Sequence, residues 1–182
     1  MDYQDLLQRA RWGKLKADEI DEVAREIQKR RPALERESLL HILSESKDKR
    51  HRKLVEKCLY SGDVKLAKMA LQTLCVTWNE AADHIDDILR FLHGVEWDTQ
   101  QGGHVILIAI SVAGEYLRGS KNGQLLAELI DIYEKEGSIF KDEAYVALVR
   151  GMGHSWSKAL MKGIPADKLL KDAKARLAKE KA

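Results

Sequence analysis

The chain has 182 residues, of which 45% are hydrophobic and 33% charged, and its formal net charge is only +2. A chain of this length forms one domain with a sizeable core, and its apolar fraction excludes a predominantly disordered polypeptide. The longest apolar run, residues 105–113, is far shorter than the ~20 residues of a membrane-spanning helix. Cys58 and Cys75 lie in apolar helical patterns that are typical of buried free thiols, so we expect a cytoplasmic protein.

The charges are distributed unevenly along the chain. Residues 1–78 contain 17 Lys/Arg and 13 Asp/Glu, residues 79–143 contain 5 and 13, and residues 144–182 contain 9 and 3. An acidic middle therefore lies between two basic ends. Any electrostatic preference for a partner must be local, because the net charge of the whole chain carries no information about it.

Helical periodicity covers the first half of the chain. It predicts helices over about residues 3–11, 18–31, 34–44, 49–60 and 64–78. Asp18 is expected to cap the second helix, and Pro32 is expected to end it. The Ser61-Gly62-Asp63 sequence separates the fourth helix from the fifth.

The second half of the chain is also helical. The pattern predicts helices over about residues 80–92, 104–118, 124–135 and 140–152, and a last helix from Pro165 to the C terminus. Asn79 is expected to cap the first of these, and Ser138 the fourth. Residues 94–103 are expected to form a loop.

Three of these helices share one pattern of small and apolar residues. Residues 70–75 align with residues 109–114 and 147–152, at spacings of 39 and 38 residues. The first two are each followed by a more polar amphipathic helix. A period near 40 residues with two helices per unit is typical of HEAT and armadillo repeats. Small residues at fixed positions predict close approach of helices from successive units.

On these residues the chain resembles the HEAT-like α-solenoid repeat proteins, including small bacterial HEAT-repeat proteins. The resemblance is clearest over residues 63–156. It implies an all-α fold, a right-handed α-α superhelix of about ten antiparallel helices in one domain over residues 1–182. Residues 1–62 would form irregular N-terminal helices and residues 157–182 a capping helix. The family implies a binding surface and no particular activity.

The sequence contains no motif of a metal, cofactor or catalytic site. The six histidines lack the spacing of metal ligands, and the cysteines do not form a Cys-x-x-Cys pair. We therefore predict no enzyme activity, no metal and no cofactor. Gly102-Gly103 precedes a helix, where it either binds phosphate or serves as a flexible connector.

An acidic surface is the main functional prediction. In solenoids the second helices of successive repeats line one concave face, and here these helices carry many carboxylates. With the 94–103 loop they would form a groove for a basic protein partner, unless they are ordinary surface carboxylates. The predicted partner-binding residues are Asp83, Asp86, Asp87, Glu96, Trp97, Asp98, Glu128, Asp131 and Glu134. The predicted function is a non-enzymatic protein-binding module of the immunity or inhibitor type.

Nucleic-acid binding is the alternative function. Residues 47–53 form a basic run that could contact phosphates through Lys47, Lys49, Arg50, Arg52 and Lys53. The resemblance extends to the HEAT-like DNA alkylation-repair glycosylases, whose basic concave surface carries Trp, Asp and Arg, and this chain has Trp97-Asp98. The acidic middle of the chain opposes that alternative, because it would repel a phosphate backbone.

Overall fold

A computed structural model of the chain describes residues 2–29, 31–155, 157, 161 and 163–181, and these residues contain helices but no strand. The predicted all-α class is confirmed. In the first half the α-helices are α1 Tyr3–Arg11, α2 Ala17–Gln28, α3 Ala33–Ser46, α4 Arg52–Leu59 and α5 Val64–Gln72. In the second half they are α6 Ile85–Leu92, α7 Glu96–Thr99, α8 His104–Gly119, α9 Gly123–Glu134, α10 Lys141–Gly151 and α11 Ala166–Lys181.

The start of α2 differs from its prediction. The helix begins at Ala17, and the side chain that caps it belongs to Glu19, which accepts a hydrogen bond from the Lys16 backbone N–H at 2.9 Å. Asp18 lies inside the first turn. The helix ends at Gln28, and Pro32 lies directly before α3.

The helix predicted over residues 64–78 is interrupted. After Gln72 the backbone forms a π-helical segment, Thr73–Thr77, and the Thr73 hydroxyl donates to the Met69 carbonyl at 2.7 Å. A side chain that binds a carbonyl of the preceding turn commonly accompanies such a distortion. Asn79, the predicted cap of the next helix, has a positive φ of 56°, whereas N-cap residues are typically extended. A 3₁₀ turn at Ala81–His84 separates it from α6.

The chain divides into two compact units that interleave in sequence. Unit 1 consists of Met1–His84 with Glu96–Val105, and unit 2 consists of Ile85–Val95 with Ile106–Ala182. The single repeat domain over residues 1–182 stays a prediction. Trp156, where the best-defined repeats were predicted to end, lies outside the described residues. In the part of the chain that is described, no helix is both long and apolar enough to cross a membrane.

Helix α3 forms the centre of unit 1, where it contacts α1, α2 and α5. Its middle is almost entirely apolar, and at most 1% of the surface of Leu39, Leu40, Ile42 or Leu43 is exposed. A helix that is apolar on most of its circumference must be surrounded by other elements. This explains why the middle of α3 lacks the separate apolar and polar faces that a surface helix has.

In unit 2, helix α9 contacts α6, α10 and α11, and α8 lies directly against α10. A methyl group on Gly114 would lie 2.7 Å from both Cα and O of Ala147, and one on Gly151 would lie 3.1 Å from Cβ of Leu117. The two backbones therefore touch where the sequence has small residues. This agrees with the predicted role of those residues in close helix approach.

Arg176 joins helix α11 to the ends of two other helices in unit 2. From α11 its guanidinium donates to the carbonyls of Gly151 at 2.7 Å, Leu117 at 3.2 Å and Ser120 at 2.7 Å. The last carbonyls of a helix have no partner within the helix, and cations stabilise this negative end. Arg176 therefore fixes α11 to the C-terminal ends of α8 and α10.

The contact of α8 with α10 predicts that a methyl group added at Gly114 lowers stability. Gly114→Ala should lower the free energy of unfolding by about 2 kcal/mol or more, because the new methyl meets backbone atoms that cannot rotate away. Gly119→Ala is the matched control in the same helix, since nothing lies within 4 Å of its added methyl. It should leave stability unchanged or raise it slightly. Urea unfolding followed by circular dichroism measures both, and equal stability of the two variants would contradict the contact.

Candidate functional site

The predicted acidic surface divides between the two units. Asp83, Glu96, Trp97 and Asp98 belong to unit 1. Asp86, Asp87, Glu128, Asp131 and Glu134 belong to unit 2. Each group is therefore considered within its own unit.

Asp98 is not a surface residue, and its predicted role in partner binding is wrong. Its side chain is 0% exposed, and its two carboxylate oxygens accept from the Val105 backbone N–H at 2.9 and 3.0 Å. Gly102 and Gly103 have φ values of 91° and 70°, which let the chain turn back toward the start of α8. The carboxylate thus occupies the helix N terminus where the sequence suggested a bound phosphate.

Asp83 lies in an ion-pair network with the basic run that was the nucleic-acid alternative. Arg52 donates to Asp83 at 3.2 Å and to Glu56 at 2.8 Å, and its Nε lies 3.4 Å from Glu80. Lys49 pairs with the other oxygen of Glu80 at 2.8 Å. The two predicted binding regions therefore neutralise each other in part within unit 1.

Burial lowers the pKa of Arg52, and the surrounding carboxylates more than offset that effect, so its pKa is raised overall. Arg50 pairs with Asp48 at 2.8 Å and lies 3.3 Å from Asp21. The hydrogen bond from Arg50 lowers the pKa of Asp48, so this pair remains ionised in mildly acidic solution. Three of the five cations predicted to contact phosphates thus already have carboxylate partners.

Lys47 and Lys53 are the two remaining cations of that run. Both are exposed, and neither makes an ion pair with a residue in the described ranges. Two separate lysines are a much smaller positive surface than the five-residue run suggested. Nucleic-acid binding through residues 47–53 stays a prediction. Fewer unpaired positive charges are available for it than the sequence suggested.

The acidic residues of unit 2 lie on α6 and α9, which contact each other. Asp86 and Asp131 are exposed and make no ion pair with the described residues. Glu128 lies 3.0 Å from the imidazole of His93, and Glu134 lies 2.7 Å from Lys174 on α11. Asp87 is half-buried. We call Asp86, Glu128, Asp131 and Glu134 the α6–α9 acidic face.

Helix α7 forms inside the segment that was predicted to be a loop. Glu96 is exposed, and its carboxylate accepts from the Gln100 amide at 3.2 Å. Trp97 is half-buried, which agrees better with packing than with full projection as a contact residue. Partner binding by Glu96 and Trp97 stays a prediction.

Glu80 is the residue of the network that sequence reasoning missed. The sequence places it at a helix start, whereas its side chain is 12% exposed and lies against both Lys49 and Arg52. These cations are about 30 residues away along the chain, and no local spacing rule connects them. The one signal in the sequence was that a basic segment, residues 1–78, precedes an acidic one, residues 79–143, so that charges of the two segments could pair.

Searches against protein-family models, curated proteins and solved structures find no match to this chain. Among the described residues no group of three His, Cys, Asp or Glu side chains is placed to hold a metal ion. Cys58 and Cys75 are buried and form no disulfide bond in the described part of the chain, and burial raises the pKa of the Cys58 thiol. A high thiol pKa and lack of access both oppose a role as a nucleophile.

The reassignment of Asp98 predicts a loss of stability. Asp98→Ala should lower the free energy of unfolding by about 2 kcal/mol, because it leaves a buried N–H of α8 without its acceptor. Asp86→Ala removes an exposed carboxylate without an ion pair and should change stability by less than about 0.5 kcal/mol. Thermal and urea unfolding of both variants measure the difference, and an unaffected Asp98→Ala protein would show that the carboxylate has no structural role.

Proposed function

We propose that this chain is a non-enzymatic protein-binding module, and that its α6–α9 acidic face binds a basic surface of another protein. The supporting observation is that Asp86 and Asp131 are exposed on two contacting helices without compensating cations in the described part of the chain. Opposite charges across an interface speed association and select partners. A basic partner would meet unneutralised carboxylates here.

Glu128 and Glu134, the other two members of the face, are paired with side chains that a partner can displace. The side chains that pair with Glu128 and Glu134 are themselves exposed, at 57% for the His93 imidazole and 53% for Lys174. Exposed polar pairs of this kind contribute only about 0–1 kcal/mol, so a partner's Lys or Arg can replace His93 and Lys174 at little cost. Four carboxylates then become available to one partner.

We further propose that the helices are arranged as a HEAT-like solenoid. Contacts of α8 with α10, and of α9 with α6 and α11, are those expected when successive helix pairs stack in two rows. Such proteins bind partners through the surface of one row. The α6–α9 acidic face belongs to the row of α6, α9 and α11.

Within this class we propose a cytoplasmic immunity-type or inhibitor-type role. A small module that presents carboxylates on rigid helices is suited to cover the basic active surface of another protein. The rival function, a HEAT-like DNA-binding protein or alkylation-repair glycosylase, has weaker support because Arg52, Lys49 and Arg50 are paired with carboxylates and Asp98 is buried.

Charge reversal tests the proposed face. The tagged full chain would be used to capture a partner, and binding of that partner would be measured for Asp86→Lys/Asp131→Lys. We expect at least about tenfold weaker binding, because two attractive contacts become repulsive. The matched control is Glu22→Lys/Asp172→Lys, which changes the net charge equally at exposed helical carboxylates outside the face.

Three outcomes would contradict the proposal. Equal binding by the reversed and control variants would place the interface elsewhere. Capture of nucleic acid alone, together with a gel shift of DNA at low salt, would favour the rival function. A captured enzyme whose activity is unchanged by a stoichiometric amount of the chain would contradict the inhibitor-type role.

A further inference from the structure

A cleft in unit 2 lies between the turn that follows α8 and the last turns of α11. Its volume is about 720 Å³, and four cations contribute to its walls: Arg118, Lys121, Arg176 and Lys179. Small-molecule sites commonly have volumes of about 300–1,000 Å³. None of these residues belongs to the α6–α9 acidic face, so the cleft is separate from the proposed protein-binding surface.

The positive charge of this cleft is largely uncompensated. Lys121 and Lys179 are exposed and make no ion pair with the described residues. Arg118 lies 3.7 Å from Glu115, a long and exposed pair that provides little neutralisation. Arg176 is the exception, because it donates to three carbonyls and also forms an ion pair with Glu180 at 2.7 Å, which compensates its charge.

Among the described residues that line the cleft, Glu180 is the one carboxylate. Its side chain is 8% exposed, and Oε1 accepts from Arg176 Nε at 2.7 Å. Oε2 is buried and receives no hydrogen bond from the described residues. This oxygen lies near Gly123, 3.7 Å from the position of an added methyl, and it can accept from a hydroxyl or a protonated phosphate oxygen of a ligand.

Helix α9 begins at the same cleft. Asn122 accepts from the Leu125 N–H at 2.9 Å, and Gly123, the first residue of the helix, lines the cleft. The positive end of this 12-residue helix favours an anion there. The field of the helix acts together with Arg118, Lys121 and Lys179.

From this arrangement we propose that the cleft binds a small ligand that carries two or more linked phosphate groups. Three cations without a close carboxylate partner, Arg118, Lys121 and Lys179, converge with a helix N terminus on one cleft instead of following an extended groove. This geometry suits negative charge concentrated on a polyphosphate, whose oxygens accept several charge-assisted hydrogen bonds. A single carboxylate would leave most of these cations without a partner.

An NMR titration of the full chain with sodium tripolyphosphate tests the site directly. We expect the largest amide shifts at residues 118–123 and 176–180. Calorimetry with the same probe should show binding at least about tenfold weaker for Lys121→Glu/Lys179→Glu, since each lysine provides charge-assisted contacts. Lys168→Glu/Lys171→Glu changes the net charge equally at exposed lysines outside the cleft, and it should bind like the native chain.

Other results would overturn the proposal. Absence of saturable binding to the native chain, or equal weakening by the control variant, would show only diffuse attraction to a positive surface. Shifts that map outside residues 118–123 and 176–180 would place the anion elsewhere. A single-stranded oligonucleotide that binds more tightly than tripolyphosphate, and that loses binding in the cleft variant, would identify a nucleic-acid site instead.

Discussion

Unit 2 depends on the direct contact of two helix backbones, where Gly114 of α8 lies against Ala147 of α10. Because Gly114 has no side chain, α8 approaches α10 more closely than helices with ordinary contact residues can. Helix α10 in turn contacts α9, and α9 contacts α6 and α11. The α6–α9 acidic face and the basic cleft are therefore both built on helices whose positions derive from this contact. Arg176 strengthens the arrangement, because it binds carbonyls at the ends of both α8 and α10.

Internal pairing decides which charges remain available to a partner. In unit 1 the basic run and the nearby carboxylates contact each other, so Lys49, Arg50, Arg52 and Glu80 serve mainly the fold. In unit 2 several charges of each sign remain exposed on different helices. The numbers of charged residues per segment identified the acidic middle correctly, but they could not show that Asp83 is neutralised by Arg52.

The sequence predicted the helices well because their apolar residues recur at helical spacing in nearly every segment. It predicted the close approach of α8 and α10 because small residues recur at matching positions of residues 109–114 and 147–152. It failed where the structure depends on contacts between distant residues. Asp98 caps a helix that begins six residues later, beyond the reach of the usual capping rule, and two glycines with positive φ make this possible. The basic cleft was missed because Arg118 and Arg176 are far apart in sequence.

We propose that a protein partner binds the α6–α9 acidic face of unit 2 and not the basic run of unit 1. Hydrogen–deuterium exchange of the full chain, alone and with its captured partner, tests this most directly. We expect slower exchange in peptides that cover residues 85–92 and 123–134, with little change over residues 47–56. Slower exchange confined to residues 47–56, with none in α6 or α9, would contradict it.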